Sequence, residues 1–126
     1  MILPPLPTRA TWMGLLILLV AAPVARAGTE DPWLGEDKAL HAALSASIAG
    51  MSYGIGATLL EPPWQRALLG AGVALTAGGA KELLDLAGGG RASARDLAWD
   101  AAGVALGIGV ALAVDYLVRW ALESAR

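Results

Sequence analysis

Read from its N-terminus, the chain alternates long uncharged runs with short polar interruptions, and three of those runs carry a helical pattern. Residues 38–60, KALHAALSASIAGMSYGIGATLL, hold no charge after Lys38. The uncharged stretch from Ala42 to Leu60 would measure about 28 Å as a helix at 1.5 Å per residue, close to the hydrocarbon thickness of a bilayer. Glu61-Pro62-Pro63 stops it, because a residue before proline is driven out of helical geometry. Residues 65–87, QRALLGAGVALTAGGAKELLDLA, form the second helical pattern, and Gly88-Gly89-Gly90 ends it. A third runs from Ser93 to about Glu123. Ser93 stands at its N-cap position and Asp96 three residues on, a capping box with aspartate in place of glutamate. On this reading both residues are accounted for as capping groups. Asp37 stands where an N-cap or first-turn acid of the first helix would.

Small residues repeat every four positions on two of these helices. Gly70, Ala74 and Gly78 share one face of the second, and Gly103 and Gly107 share one face of the third. Such stripes let helix backbones approach closely, and the pattern predicts that the two stripes meet. The three segments are apolar nearly all round, whereas a surface helix in water shows a wide polar face. The expected fold is therefore all-α: a small antiparallel three-helix bundle that spans a membrane. The second and third segments carry only fourteen residues between charges (67–80 and 101–114), a length that also fits buried helices of a soluble periplasmic domain.

Ahead of the bundle, residues 11–22 (TWMGLLILLVAA) are a short apolar stretch, followed by Ala25-Arg26-Ala27, a small-x-small pattern that a signal peptidase accepts. Residues 1–27 read as a signal peptide or a retained signal anchor, and residues 28–126 as one helical domain. Export places the protein in a bacterial envelope. The chain has no cysteine, which excludes a disulfide framework, a thiol nucleophile and a lipid-modified cysteine. With 16% charged residues and a formal net charge of -2, it lacks the basic stripe that nucleic acid requires.

Short links force consecutive helices to run antiparallel, so the start of the first, the end of the second and the start of the third lie together. That end collects Asp37, Lys38 and His41, then Lys81, Glu82 and Asp85, then Arg91, Ser93, Asp96 and Asp100, with Arg95 beside them. Glu82 and Asp100 stand out, since each lies in an apolar helix where a charge is expensive. Asp115 and Arg119, one turn apart near the far end, read as a surface pair. One histidine among carboxylates could hold a divalent metal, with His41, Glu82, Asp85 and Asp100 as candidate ligands. The cluster equally suits a site for a lipid headgroup, a glycan precursor or a partner helix. Two further readings are a small metal-assisted hydrolase acting on a lipid-linked phosphate and a purely structural polar network. Membrane lipid or an envelope protein is the expected partner, and self-association through the glycine faces is compatible with the pattern. By the positive-inside rule, Arg66, Arg119 and Arg126 lie on the cytoplasmic side and the polar cluster faces the periplasm, with Arg91 and Arg95 opposing.

Three blocks, GEDKALH at 35–41, GAKELLDLAGGG at 79–90 and SARDLAWDAAGVALG at 93–107, resemble the YfiM-like family of bacterial envelope proteins, described as periplasmic lipoproteins of unknown function. They also resemble, more distantly, the VanZ-like membrane proteins linked to glycopeptide resistance. The resemblance covers about residues 35–107 and implies a helical envelope domain with functional positions at Asp37, Lys38, His41, Lys81, Glu82, Asp85, Ser93, Asp96, Asp100, Gly103 and Gly107. Two departures are the missing lipoprotein cysteine and Asp100, where the VanZ-like proteins tend to carry asparagine.

Overall fold

In a computed structural model, described here for residues 31–125, three helices follow one another: α1 (Glu36–Gly56), α2 (Pro63–Ala87) and α3 (Ala94–Ser124). They pack as an antiparallel bundle in which every pair of helices is in contact. The signal-like segment 1–27 lies outside the described residues. Pro63 opens α2 at a position where its missing N–H would have no partner in any case. The α2 terminus closes through Gly89, whose φ of 80° lies in the left-handed region, while the Gly90 N–H donates to the Asp85 carbonyl at 2.8 Å. α1 ends earlier than its uncharged run suggests, because Ala57–Leu60 leave the helix as a turn. Among the described residues, α2 and α3 are the helices long and apolar enough to cross a membrane.

Each helix buries one narrow stripe. On α1 it is Lys38, His41, Ser45, Ala49, Tyr53 and Gly56; on α2, Arg66, Gly70, Ala74, Gly78 and Glu82; on α3, Asp96, Asp100, Gly103, Val104 and Gly107. The centre of the bundle thus holds small residues, and both of its ends hold ion pairs. The large aliphatic side chains lie outside instead, Leu68, Leu83, Leu84, Leu106 and Leu122 each more than 60% exposed. This reverses the arrangement that water imposes, where such side chains fill the core.

The glycine stripes do not face each other as expected. A Cβ on Gly103 would sit 2.2 Å from the Ala42 carbonyl oxygen, and one on Gly107 equally close to that of Ala46, so the α3 stripe is pressed against α1. A Cβ on Gly70 would stand 2.5 Å from the Ala49 carbonyl oxygen of α1 and 2.7 Å from the Ile108 side chain, while Gly78 makes room for the Asp100 carboxylate. α1 is the shared partner because Ala42 and Ala46, beside its buried stripe, and Ala49 within it have small side chains that leave the backbone open to approach.

At the bundle end that holds the α1–α2 turn, Asp115 does more than pair with Arg119. Its carboxylate accepts from Tyr53 Oη at 2.8 Å and from Arg66 Nη1 at 2.9 Å, besides Arg119 at 3.0 Å. Arg66 is buried, and it also donates to the carbonyls of Leu60 and Glu61, which would otherwise lack partners beyond the end of α1. A single guanidinium thereby ties all three helices. Asp115→Ala should lower the unfolding free energy by about 2 kcal/mol, since it strands a buried cation. Arg119→Ala, which touches only an exposed pair, should leave the denaturation midpoint nearly unchanged.

Candidate functional site

Most of the polar residues that connectivity brings to one end do meet there, and Lys38, His41, Glu82, Asp96 and Asp100 among them are buried rather than displayed. Lys38 is 1% exposed, and its ammonium donates to Asp31, Asp96 and, at 3.0 Å, Asp37. Burial alone would lower its pKa; the hydrogen bonds to the three carboxylates outweigh burial and hold it above the ordinary lysine value. Asp31, from the segment ahead of α1, is held low by Lys38 first and by the Ser93 hydroxyl second. Nothing in the local pattern of that polar lead-in singles out Asp31.

His41, one residue before the uncharged run, has a carboxylate at each ring nitrogen. Nδ1 lies 3.0 Å from Asp100 Oδ1 and Nε2 lies 3.4 Å from Asp96 Oδ2. The hydrogen bond to Asp100 raises the histidine's pKa, against a smaller opposing effect of burial. Ser45, one turn on, donates to the same Asp100 oxygen at 2.7 Å. The other oxygen of Asp100, Oδ2, is buried and has no hydrogen-bond partner among the described residues.

The start of α3 departs from a self-contained capping box. Ser93 Oγ does accept from the Asp96 N–H at 3.1 Å. The reciprocal bond, from the Ser93 N–H, goes to Glu82 Oε2 of α2 at 2.6 Å. Glu82 therefore caps a neighbouring helix, where its charge also suits the positive end of the helix dipole. The substitution frees the Asp96 side chain, 8% exposed, to join Lys38 and His41. Asp96 is thus a central member of the cluster and not a capping group alone. Asp37 is the first-turn acid of α1 rather than its N-cap, which is Gly35, and the Asp37 carboxylate turns to Lys38.

The remaining polar residues sit at the rim. Lys81 pairs with Asp85 at 2.8 Å and lies 3.4 Å from Glu82. That pair keeps Asp85 apart from the candidate metal ligands. Asp100 joins them through the histidine ring rather than beside it. The Arg95 guanidinium stands 5.3 Å from the centre of the Trp33 ring, and the indole of Trp99 donates to the Trp33 carbonyl at 2.8 Å. Arg91 is exposed. An apolar groove of about 600 Å³ lies in the other half of the bundle, between α1 and α3, lined by Gly50, Tyr53, Gly107, Val110 and Asp115.

No family model, curated protein or solved structure matches the chain. The likeness to the YfiM-like and VanZ-like proteins therefore stands on the three sequence blocks alone.

Proposed function

We propose that the chain is a membrane-spanning, three-helix component of a bacterial cell envelope, whose polar mouth faces the periplasm and binds a cationic ligand. The charge balance of the mouth carries the reading. Asp31, Asp37, Glu82, Asp85, Asp96 and Asp100 converge on Lys38, Lys81 and His41, so even with the imidazole protonated and Arg91 and Arg95 counted at the rim, carboxylates remain in slight excess. Such a mouth attracts positive charge and repels a bare phosphate headgroup. A hydrolytic role is less well supported, because the groove that could hold an apolar substrate lies away from the carboxylates of the mouth and has only Asp115, already paired with Arg66 and Arg119, in its lining.

Three features support the membrane setting: the small-residue interior, the exposed leucines, and the placing of the aromatic residues. Trp33 and Trp99 stand at the mouth, and the exposed Trp64 and Trp120 stand at the other end. Trp99 and Trp120 are separated along α3 by about 31 Å at 1.5 Å per residue. That matches a hydrocarbon core of about 30 Å with an indole at each interface.

Single cysteines introduced at Ala92 and Glu61 into this cysteine-free chain test the placement. In intact cells a membrane-impermeant thiol reagent should modify the cysteine at 92 and spare that at 61. Modification of both, with release of the protein by osmotic shock, would make it a soluble periplasmic bundle. For the ligand, purified protein at constant ionic strength should gain thermal stability from added divalent or polyamine cations and none from inorganic phosphate. The reverse order would overturn a cation-binding mouth.

A further inference from the structure

We propose that His41, Glu82 and Asp96 form a site for a divalent transition-metal ion, with Asp100 as the residue that orients the histidine. This rests on the cation-binding reading and names the cation's class and its ligands. The three residues come one from each helix, are all more than nine-tenths buried, and offer ligand atoms that lie within 4.8 Å of one another. The 3.4 Å between His41 Nε2 and Asp96 Oδ2 is close to the edge of a tetrahedron with zinc-to-ligand bonds of about 2.0–2.1 Å, which is roughly 3.3 Å. The Glu82 carboxylate completes the set from α2. Its Oε2 is anchored to the Ser93 N–H, and its Oε1 has a weak contact at 3.4 Å with Lys81, which already has Asp85 as its closer partner.

The histidine is set up in the way metal-bound histidines usually are. A carboxylate can only accept, so Nδ1 carries the proton it gives to Asp100, and Nε2 is the nitrogen left to bind an ion. A second observation points the same way. Asp100 Oδ2, on a side chain 2% exposed, has no hydrogen-bond partner among the described residues. It lies against Gly78, one helical turn from Glu82, on the α2 wall of the same site. A buried carboxylate with a free oxygen beside two further carboxylates needs a positive charge near it. The neighbouring acidic group of Asp31, Asp37 and Asp96 does not qualify, because the Lys38 ammonium already occupies its centre.

One imidazole nitrogen and two carboxylates suit zinc or manganese better than calcium or magnesium, which favour sets built from oxygen alone. Water or a ligand atom arriving from the mouth would complete the coordination.

His41 is the only histidine of the chain, so a tag-free protein gives a single imidazole to follow by nitrogen NMR. Full-length protein in micelles, stripped with chelator and titrated with zinc chloride, should bind one ion per chain. The Nε2 resonance should move strongly while the Nδ1 proton persists. His41→Ala should weaken binding at least a hundredfold. Asp100→Asn should weaken it ten- to a hundredfold, and Glu123→Gln, exposed at the far end of α3, should leave it unchanged. An imidazole signal unmoved at saturating zinc overturns the site even if His41→Ala fails to fold. If cations stabilise the protein while the imidazole stays unmoved, the metal set falls and the cation-binding mouth stands. If neither responds, both fall.

Discussion

Lys38→Met should cost about 4 kcal/mol of stability, measured by denaturant titration of the purified protein with helicity as the signal. The substitution keeps the length of the side chain and removes the one buried ammonium. Asp31, Asp37 and Asp96 then converge on a methyl group. Breaking a buried ion pair by deleting one partner costs about 3–5 kcal/mol, most of it the penalty on the charge left behind. The upper end is not expected, because Asp31 and Asp37 are around 40% exposed and can turn to solvent. Asp96 cannot, since its side chain is only 12% exposed. A companion Lys38→Met, Asp96→Asn variant should recover part of the loss. If Lys38→Met alone changes stability by less than about 1 kcal/mol, in the range of exposed ion pairs, the network does not hold the helices together.

The second large effect lies where the backbones touch. Gly103→Ala gains helix propensity, by about 1 kcal/mol, and loses far more. Its Cβ would stand 2.2 Å from the Ala42 carbonyl oxygen and 2.8 Å from the Ala42 Cα, all backbone atoms with no rotamer to yield. α1 and α3 must then part by about 1 Å to restore a carbon–oxygen contact of ordinary length. The net cost should be on the order of 3 kcal/mol, at the top of the range for overpacking. The change should also reach the mouth, because His41–Asp100 and Lys38–Asp96 bridge the same two helices. Gly109→Ala, on the same helix with nothing within 4 Å of an added Cβ, is the matched control and should stabilise slightly.

Much of the mouth was legible in the sequence, for a definite reason. Short links fix the helix directions, and directions alone bring residues near 38, 82 and 96 to one end. The stripe Gly70-Ala74-Gly78 was legible from its four-residue period, and Glu82 from the charge that continues it. The partner of a stripe is not written in its period. Gly103 faces α1 and not α2 because of how three helices close on one another, which no single segment encodes. Asp96 was placed at this end, but its side chain was read as half of a cap because a local explanation sufficed: Ser93 does cap α3, but the second half of the box is supplied by Glu82 from across a turn. Arg66 and Asp115 escaped for the same reason, since Asp115 had a ready neighbour in Arg119 while Arg66 and Tyr53 come from distant positions.

The stripe on α1 bears on how such a bundle can be assembled. Taken alone, this helix presents Lys38, His41 and Ser45 on one side and ends at Gly56, so it is both too polar and too short to settle in lipid unaided. α2 and α3 carry the length and the apolar surface, and their inner faces hold the carboxylates that α1 requires. In the membrane-spanning bundle proposed above, α1 is made before α2 and α3 and yet is the last of the three that can rest stably in a bilayer. It would wait at the interface until the hairpin behind it supplies the groove.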